Sequence, residues 1–196
     1  MTESTGAKMV ATDAAIRYRI DAGMSRFTVR AFATGLFSSL GHSPTLAIRD
    51  YNGEATFVSS NPEQSSIRVS VKPASLIVTD DVSQKDRSDI ENRMNQDVLE
   101  TSVYPEIVFE SSQVVANNLG DDRYAANVTG NLTLHGITRQ EKISAQVSVT
   151  GDVLRAYGEF TLRQSDYGIK LVSVAGGTLK VKDEVKITFD FTARKQ

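Results

Sequence analysis

Val185-Lys186-Ile187-Thr188-Phe189-Asp190-Phe191-Thr192 alternates apolar and polar residues without a break. Successive side chains of a strand point to opposite faces, so this stretch has one apolar face and one wet face. The same period of two recurs along the chain. Phe27, Val29 and Ala31 alternate with Arg26, Thr28 and Arg30; Leu46 and Ile48 alternate with Thr45, Ala47 and Arg49. Ile67, Val69 and Val71 follow the pattern, and so do Ile143, Ala145, Val147 and Val149. A series of such strands is expected to form an antiparallel sheet with one buried face.

Two stretches break the alternation. Leu36, Phe37 and Leu40 stand at helical spacing in a short segment. Ser83–Glu100 is the one long helix candidate. Ser83 is its cap, Asp86 stands in a capping-box-like position, and Ile90, Met94 and Val98 form a narrow apolar stripe. That helix is expected outside the sheet or across one end of it. Turn chemistry falls at Asn117–Asp122 and at Thr150-Gly151-Asp152. Asn52-Gly53 reads either as a turn or as a glycine within a strand running from Tyr51 to Val58. Many strands with one or two helices point to an all-β fold, an antiparallel barrel or sandwich, and closure into a barrel is the commonest way to avoid exposed edges.

The bulk composition excludes several function classes. The 196 residues suit one domain with a sizeable core. A formal net charge of −2 supplies no field for nucleic acid. There is no cysteine, which removes disulfides and thiol chemistry. No apolar run approaches the roughly 20 residues that span a bilayer, so no integral membrane segment is expected. Met1-Thr2-Glu3-Ser4-Thr5-Gly6-Ala7-Lys8 has no basic start leading into an apolar stretch. A cytoplasmic location is therefore expected, or a periplasmic or secreted one where a leader has been removed. Residues 1–16 are expected to form a flexible tail and residues 17–196 the barrel domain.

Catalytic constellations are not evident. The two histidines, His42 and His135, lack the spacing of a metal-ligand unit, so no metal is expected. No Gly-x-Ser-x-Gly elbow is present, and Ala175-Gly176-Gly177-Thr178 lacks the lysine of a phosphate loop. His135 lies in a hairpin, where a hydrogen bond that shapes the turn is expected. Arg163, Asp166 and Tyr167 form the best polar group. It reads either as a head-group contact with Asp166 holding the turn, or as a structural salt bridge beside an Asp-x-Gly turn.

Several motifs, in order, resemble the YceI family: Tyr18-Arg19-Ile20-Asp21, Val98 through Pro105, Tyr104-Pro105-Glu106-Ile107-Val108-Phe109-Glu110-Ser111, Gly130-Asn131-Leu132-Thr133-Leu134-His135-Gly136-Ile137-Thr138, and Tyr157 through Ile169. The similarity runs from residue 17 to residue 195. It departs from the family pattern in three places. Met24-Ser25 replaces a frequent His-Ser pair. Gln164-Ser165-Asp166 replaces a frequent Arg-Ser-Asp, with Arg163 one position earlier and so on the opposite face of a regular strand. Gly35–Pro44 is longer than the usual connection.

The resemblance implies an extended antiparallel lipocalin-like β-barrel. It would carry, transport or store a polyisoprenoid, such as an isoprenoid quinone, or a fatty-acid-like lipid. No cofactor and no catalysis are implied, and a homodimer is compatible. The inward residues of the alternating strands are the candidate lining: Phe27, Val29, Leu46, Ile48, Phe57, Val69, Phe109, Leu132, Phe160, Leu162, Ile187 and Phe189. Phe37, with His42 and Arg163 at the mouth, completes the candidate ligand-binding set. A non-catalytic structural or stress-related interaction module with a filled core, using the outer face of Ser83–Glu100, is the alternative.

Overall fold

The alternating segments form strands in the computed structural model, which describes residues 15–34, 43–174 and 179–196. Strand β1 is Ile16–Ile20, β2 Arg26–Thr34, β3 Thr45–Ile48, β4 Tyr51–Phe57, β5 Ser66–Val71 and β6 Leu76–Val78. Helix α1, Gln84–Arg93, runs into a wider π turn over Met94–Val98. Then follow β7 Ile107–Gly120, β8 Arg123–Leu134, β9 Ile137–Thr150, β10 Val153–Arg163, β11 Ser173–Val174 and β12 Leu179–Lys195.

Every pairing is antiparallel, and the sheet closes on itself. β1 pairs with β4 on one side and with β12 on the other, so β1-β4-β5-β7-β8-β9-β10-β12 forms an eight-stranded ring. The short strands β2, β3 and β6 prolong β1, β4 and β5 beyond a bend. Asp21 makes the first bend, its carboxylate accepting from the Gly23 N–H at 3.1 Å. Ser75 helps to make another, accepting from the Asp50 N–H at 2.9 Å. Beyond the bends β2 pairs with β12, β3 with β2 and β6 with β3, but among the described residues β6 has no strand on its far side.

Helix α1 covers that far side. The Val78 N–H donates to Glu91 Oε1 at 2.9 Å, and Arg87 Nη1 donates to the Val78 carbonyl at 2.8 Å. Arg87 Nη2 also reaches the Asp80 carbonyl at 3.1 Å. Two side chains thus do for the edge what a neighbouring strand would do. Met94 packs with Leu46, Leu76 and Val78, and Ile90 joins them. Ser83 caps the helix, accepting from the Asp86 N–H at 3.1 Å while its hydroxyl donates to Asp86 Oδ2 at 2.7 Å. The cap and the apolar stripe therefore stand where the sequence puts them. The helix, expected to run unbroken to Glu100, instead widens at Met94, which keeps Val98 and Leu99 against the barrel.

The hairpins distinguish the two ends. At one end Asp121-Asp122 links β7 to β8 and Gly151-Asp152 links β9 to β10. At the other His135-Gly136 links β8 to β9, near α1. Asp121 and Asp122 have φ of 52° and 53°, and His135 and Gly136 have 51° and 74°, the signature of two-residue hairpin turns. Asn52-Gly53 is not a turn. Gly53 lies inside β4, and a Cβ there would stand 2.6 Å from Ile20 and 2.9 Å from the Arg68 carbonyl.

Candidate functional site

The barrel is filled at one end and hollow at the other. The filled end belongs to aromatic and small residues: Tyr18 and Ala193 are fully buried, and Phe57 meets the Tyr124 ring edge-on at 5.3 Å. Above them Phe27, Phe189 and Phe191 stack at 6.1–6.3 Å, within the range where aromatic pairs attract. These three rings form the floor of a cavity of about 1050 Å³ that reaches towards α1. That volume is at the upper end of ordinary small-molecule sites, about 300–1,000 Å³.

The wall is apolar and mostly aliphatic. Phe27, Val29, Leu46, Ile48, Val69 and Phe109 line it, as do Leu132, Phe160, Leu162, Ile187 and Phe189. The inward set read from alternation therefore converges on one space, with exceptions. Phe57 belongs to the filled end, because β4 carries it past the aromatic floor. Arg163 does not face the cavity. It lies on the outer surface, and its Nε donates to Asp183 Oδ2 at 3.0 Å, so the salt-bridge reading describes its placement. Asp183 also accepts from the Ser165 hydroxyl and N–H, and these bonds hold its carboxyl below the usual carboxylate range. Phe37 and His42 lie outside the described residues, as do residues 1–14 of the expected tail.

Other lining residues were not singled out. Ile67, Val128, Ile143 and Val185 sit on inward faces that alternation marks equally well. Ile169 and Val172 come from the irregular segment after β10 and have no periodic signal. The margin of the cavity is polar. Exposed Asp86, Asp89, Arg93 and Gln96 stand on it from α1 and its π turn, and Lys180 stands on it from β12. Gln164, next to Arg163 but on the inner face, is buried and lines the cavity.

A polar cluster braces the rim outside the cavity. His135 Nε2 meets Glu100 Oε2 at 2.7 Å, its Nδ1 meets the Tyr167 carbonyl at 3.2 Å, and Tyr104 packs on the ring at 4.3 Å. Tyr167 is fully buried and its hydroxyl donates to Glu141 Oε1 at 2.6 Å. Burial first, then that carboxylate, pushes the phenol well above its ordinary value. His135 thus ties the β8–β9 hairpin to the segment after α1 and to the turn after β10. No helix among the described residues is long and apolar enough to cross a membrane.

Comparison with known proteins places this geometry. The YceI-like domain model matches residues 18–193. A UPF0312 protein from Pseudomonas syringae pv. tomato is 33% identical over 172 residues, covering 84% of this chain and 82% of the relative. One from Pseudomonas putida is 29% identical over 181 residues, covering 88% and 86%. Among solved structures, Burkholderia cenocepacia BcnA superposes with a TM-score of 0.67 at 18% identity, over 88% of this chain and 98% of that one. A polyisoprenoid binding domain from Saccharophagus degradans gives 0.66 at 14% identity, over 92% and 99%.

Proposed function

We propose that this chain, which belongs to the YceI-like family, binds a long-chain isoprenoid or similar lipid in its barrel and carries or stores it without chemistry. The observation that supports the reading is the cavity. It has about 1050 Å³ of space, an aromatic floor, aliphatic walls and a polar margin. Such a lining recognises a ligand by removing apolar surface from water. About ten buried methylenes contribute about 8 kcal/mol at roughly 0.8 kcal/mol each. That is enough to offset much of the cost of immobilising the chain. The polyisoprenoid binding described for the Saccharophagus degradans domain of like fold agrees with this chemistry. A filled-core interaction module accounts for the aromatic end of the barrel and leaves the hollow end without a purpose.

The test is uptake of a fluorescent prenyl probe by delipidated protein. Wild type is expected to bind saturably with one site. Phe160→Asp, which places a carboxylate on the cavity wall, is expected to lose uptake while circular dichroism stays that of a β protein. Equal uptake by a folded Phe160→Asp protein would dismiss the cavity as the site.

A further inference from the structure

Among the described residues, one buried polar side chain breaks the apolar wall. Gln164 is 9% exposed and lines the cavity. It lies two positions beyond the inward Leu162, at the start of the short 3-10 turn that ends β10. Its amide orientation is fixed by its partners. Nε2 donates to the Lys182 carbonyl at 2.9 Å and to the Asp183 carbonyl at 3.4 Å. Both carbonyls lie in the register break of β12 between Val181 and Val185. Carbonyls only accept, so the nitrogen must face them and the oxygen must face away. Among the described residues, nothing donates to Gln164 Oε1. The neighbouring lining residues Leu162, Ile169 and Val185 bring no side-chain donor.

From this geometry we infer that Gln164 Oε1 selects, among long-chain lipids, those ending in a hydrogen-bond donor, namely alcohols. This deepens the lipid-binding reading and rests on it. Once a lipid has displaced water from the apolar cavity, Gln164 Oε1 is costly to leave without a donor, and a ligand hydroxyl satisfies it. Ethers, quinone carbonyls and carboxylates bring only further acceptors, and a carboxylate adds charge. The outward Arg163 is held by Asp183 on the other face and brings no donor to the cavity.

The experiment is competition for the prenyl probe by a prenyl alcohol, its methyl ether and a prenyl quinone of equal tail length. Wild type is expected to prefer the alcohol over the ether by about two- to tenfold, the worth of one net hydrogen bond. Gln164→Leu is expected to remove that preference. Because Leu also leaves the Lys182 and Asp183 carbonyls unpaired, Gln164→Arg is the second variant. It can keep donating to them, and its preference is expected to shift from alcohol to quinone. Equal binding of alcohol and ether by wild type, with an unchanged ranking in Gln164→Arg, would overturn the selectivity and leave lipid binding standing. Failure of the probe itself to bind would overturn both.

Discussion

The clip between α1 and β6 gives the sharpest test of how the hollow end is held. Val78 is fully buried, and its N–H has the Glu91 carboxylate as partner at 2.9 Å. Glu91→Ala leaves that donor unpaired beneath the helix. A buried unsatisfied backbone group costs about 1–3 kcal/mol. For a domain of this size, each kcal/mol lowers Tm by about 2–4 °C, so the expected loss is about 2–12 °C. Glu91→Gln keeps an acceptor and gives up only the charge, so it is expected to recover all but about 1 kcal/mol. Arg87→Ala removes donation to the Val78 and Asp80 carbonyls. Because Arg87 and Glu91 share Val78, the double variant should cost less than the sum of the singles. The assay is urea unfolding followed by circular dichroism. Ile90, Met94 and Val98 line the cavity from this helix, so the prenyl probe should also leave Glu91→Ala faster. A Glu91→Ala protein within about 0.5 kcal/mol of wild type, the scatter of ordinary surface changes, would refute the idea that α1 stands in for a strand.

Other outcomes follow from packing and ionisation. The Tyr18 hydroxyl is buried with no partner among the described residues, so Tyr18→Phe is expected to raise stability by about 1 kcal/mol in urea unfolding, and a loss would point to a bond to its hydroxyl. Gly130 has the Glu110 carbonyl and the tip of the Phe109 ring each 2.5 Å from where a Cβ would stand. Gly130→Ala should therefore cost about 1–3 kcal/mol, the range for overpacking, and push Phe109 towards the lumen, which weakens probe binding. Folding raises the phenol pKa of Tyr167, and also those of Tyr18, Tyr51 and Tyr124, above the ordinary 10.0, burial being the leading cause in each. As pH rises past that value the unfolded chain releases protons that the folded chain keeps, so stability falls with pH on the alkaline side. Tyr167→Phe should flatten that decline, and an equally steep profile would remove Tyr167 from it.

The barrel was legible because its signal is local. Val185 to Phe191 alternates over one strand, and a period of two admits only one buried face. The same rule separates Arg163 from Gln164, since neighbouring residues where β10 ends face opposite ways. Alternation states the face and not the height along the barrel, which is why Phe57 read as cavity lining although it lies beneath the aromatic floor. The apolar stripe of α1 was readable from its spacing. The roles of Arg87 and Glu91 were not, because they depend on an edge strand that exists only once β6 has failed to find a neighbour. Tyr167 was read only as part of a polar group with Arg163 and Asp166, and its bond to Glu141, twenty-six positions away in sequence, has no periodic signal. Gln164 was visible only as a departure from a family pattern. Its meaning needed the β12 register break, which no periodicity reveals.

The most direct measurement is native mass spectrometry of the purified protein, paired with organic extraction and mass analysis of what is released. Lipid binding in the barrel requires a one-to-one adduct of long-chain isoprenoid or similar mass. The adduct should survive gentle ionisation in wild type, be absent in Phe160→Asp, and reappear when a prenyl alcohol is added to stripped wild type. A wild-type protein that shows only its own mass, and takes up neither prenyl alcohols, quinones nor fatty acids, would contradict the claim that the hollow half of the barrel exists to hold a lipid.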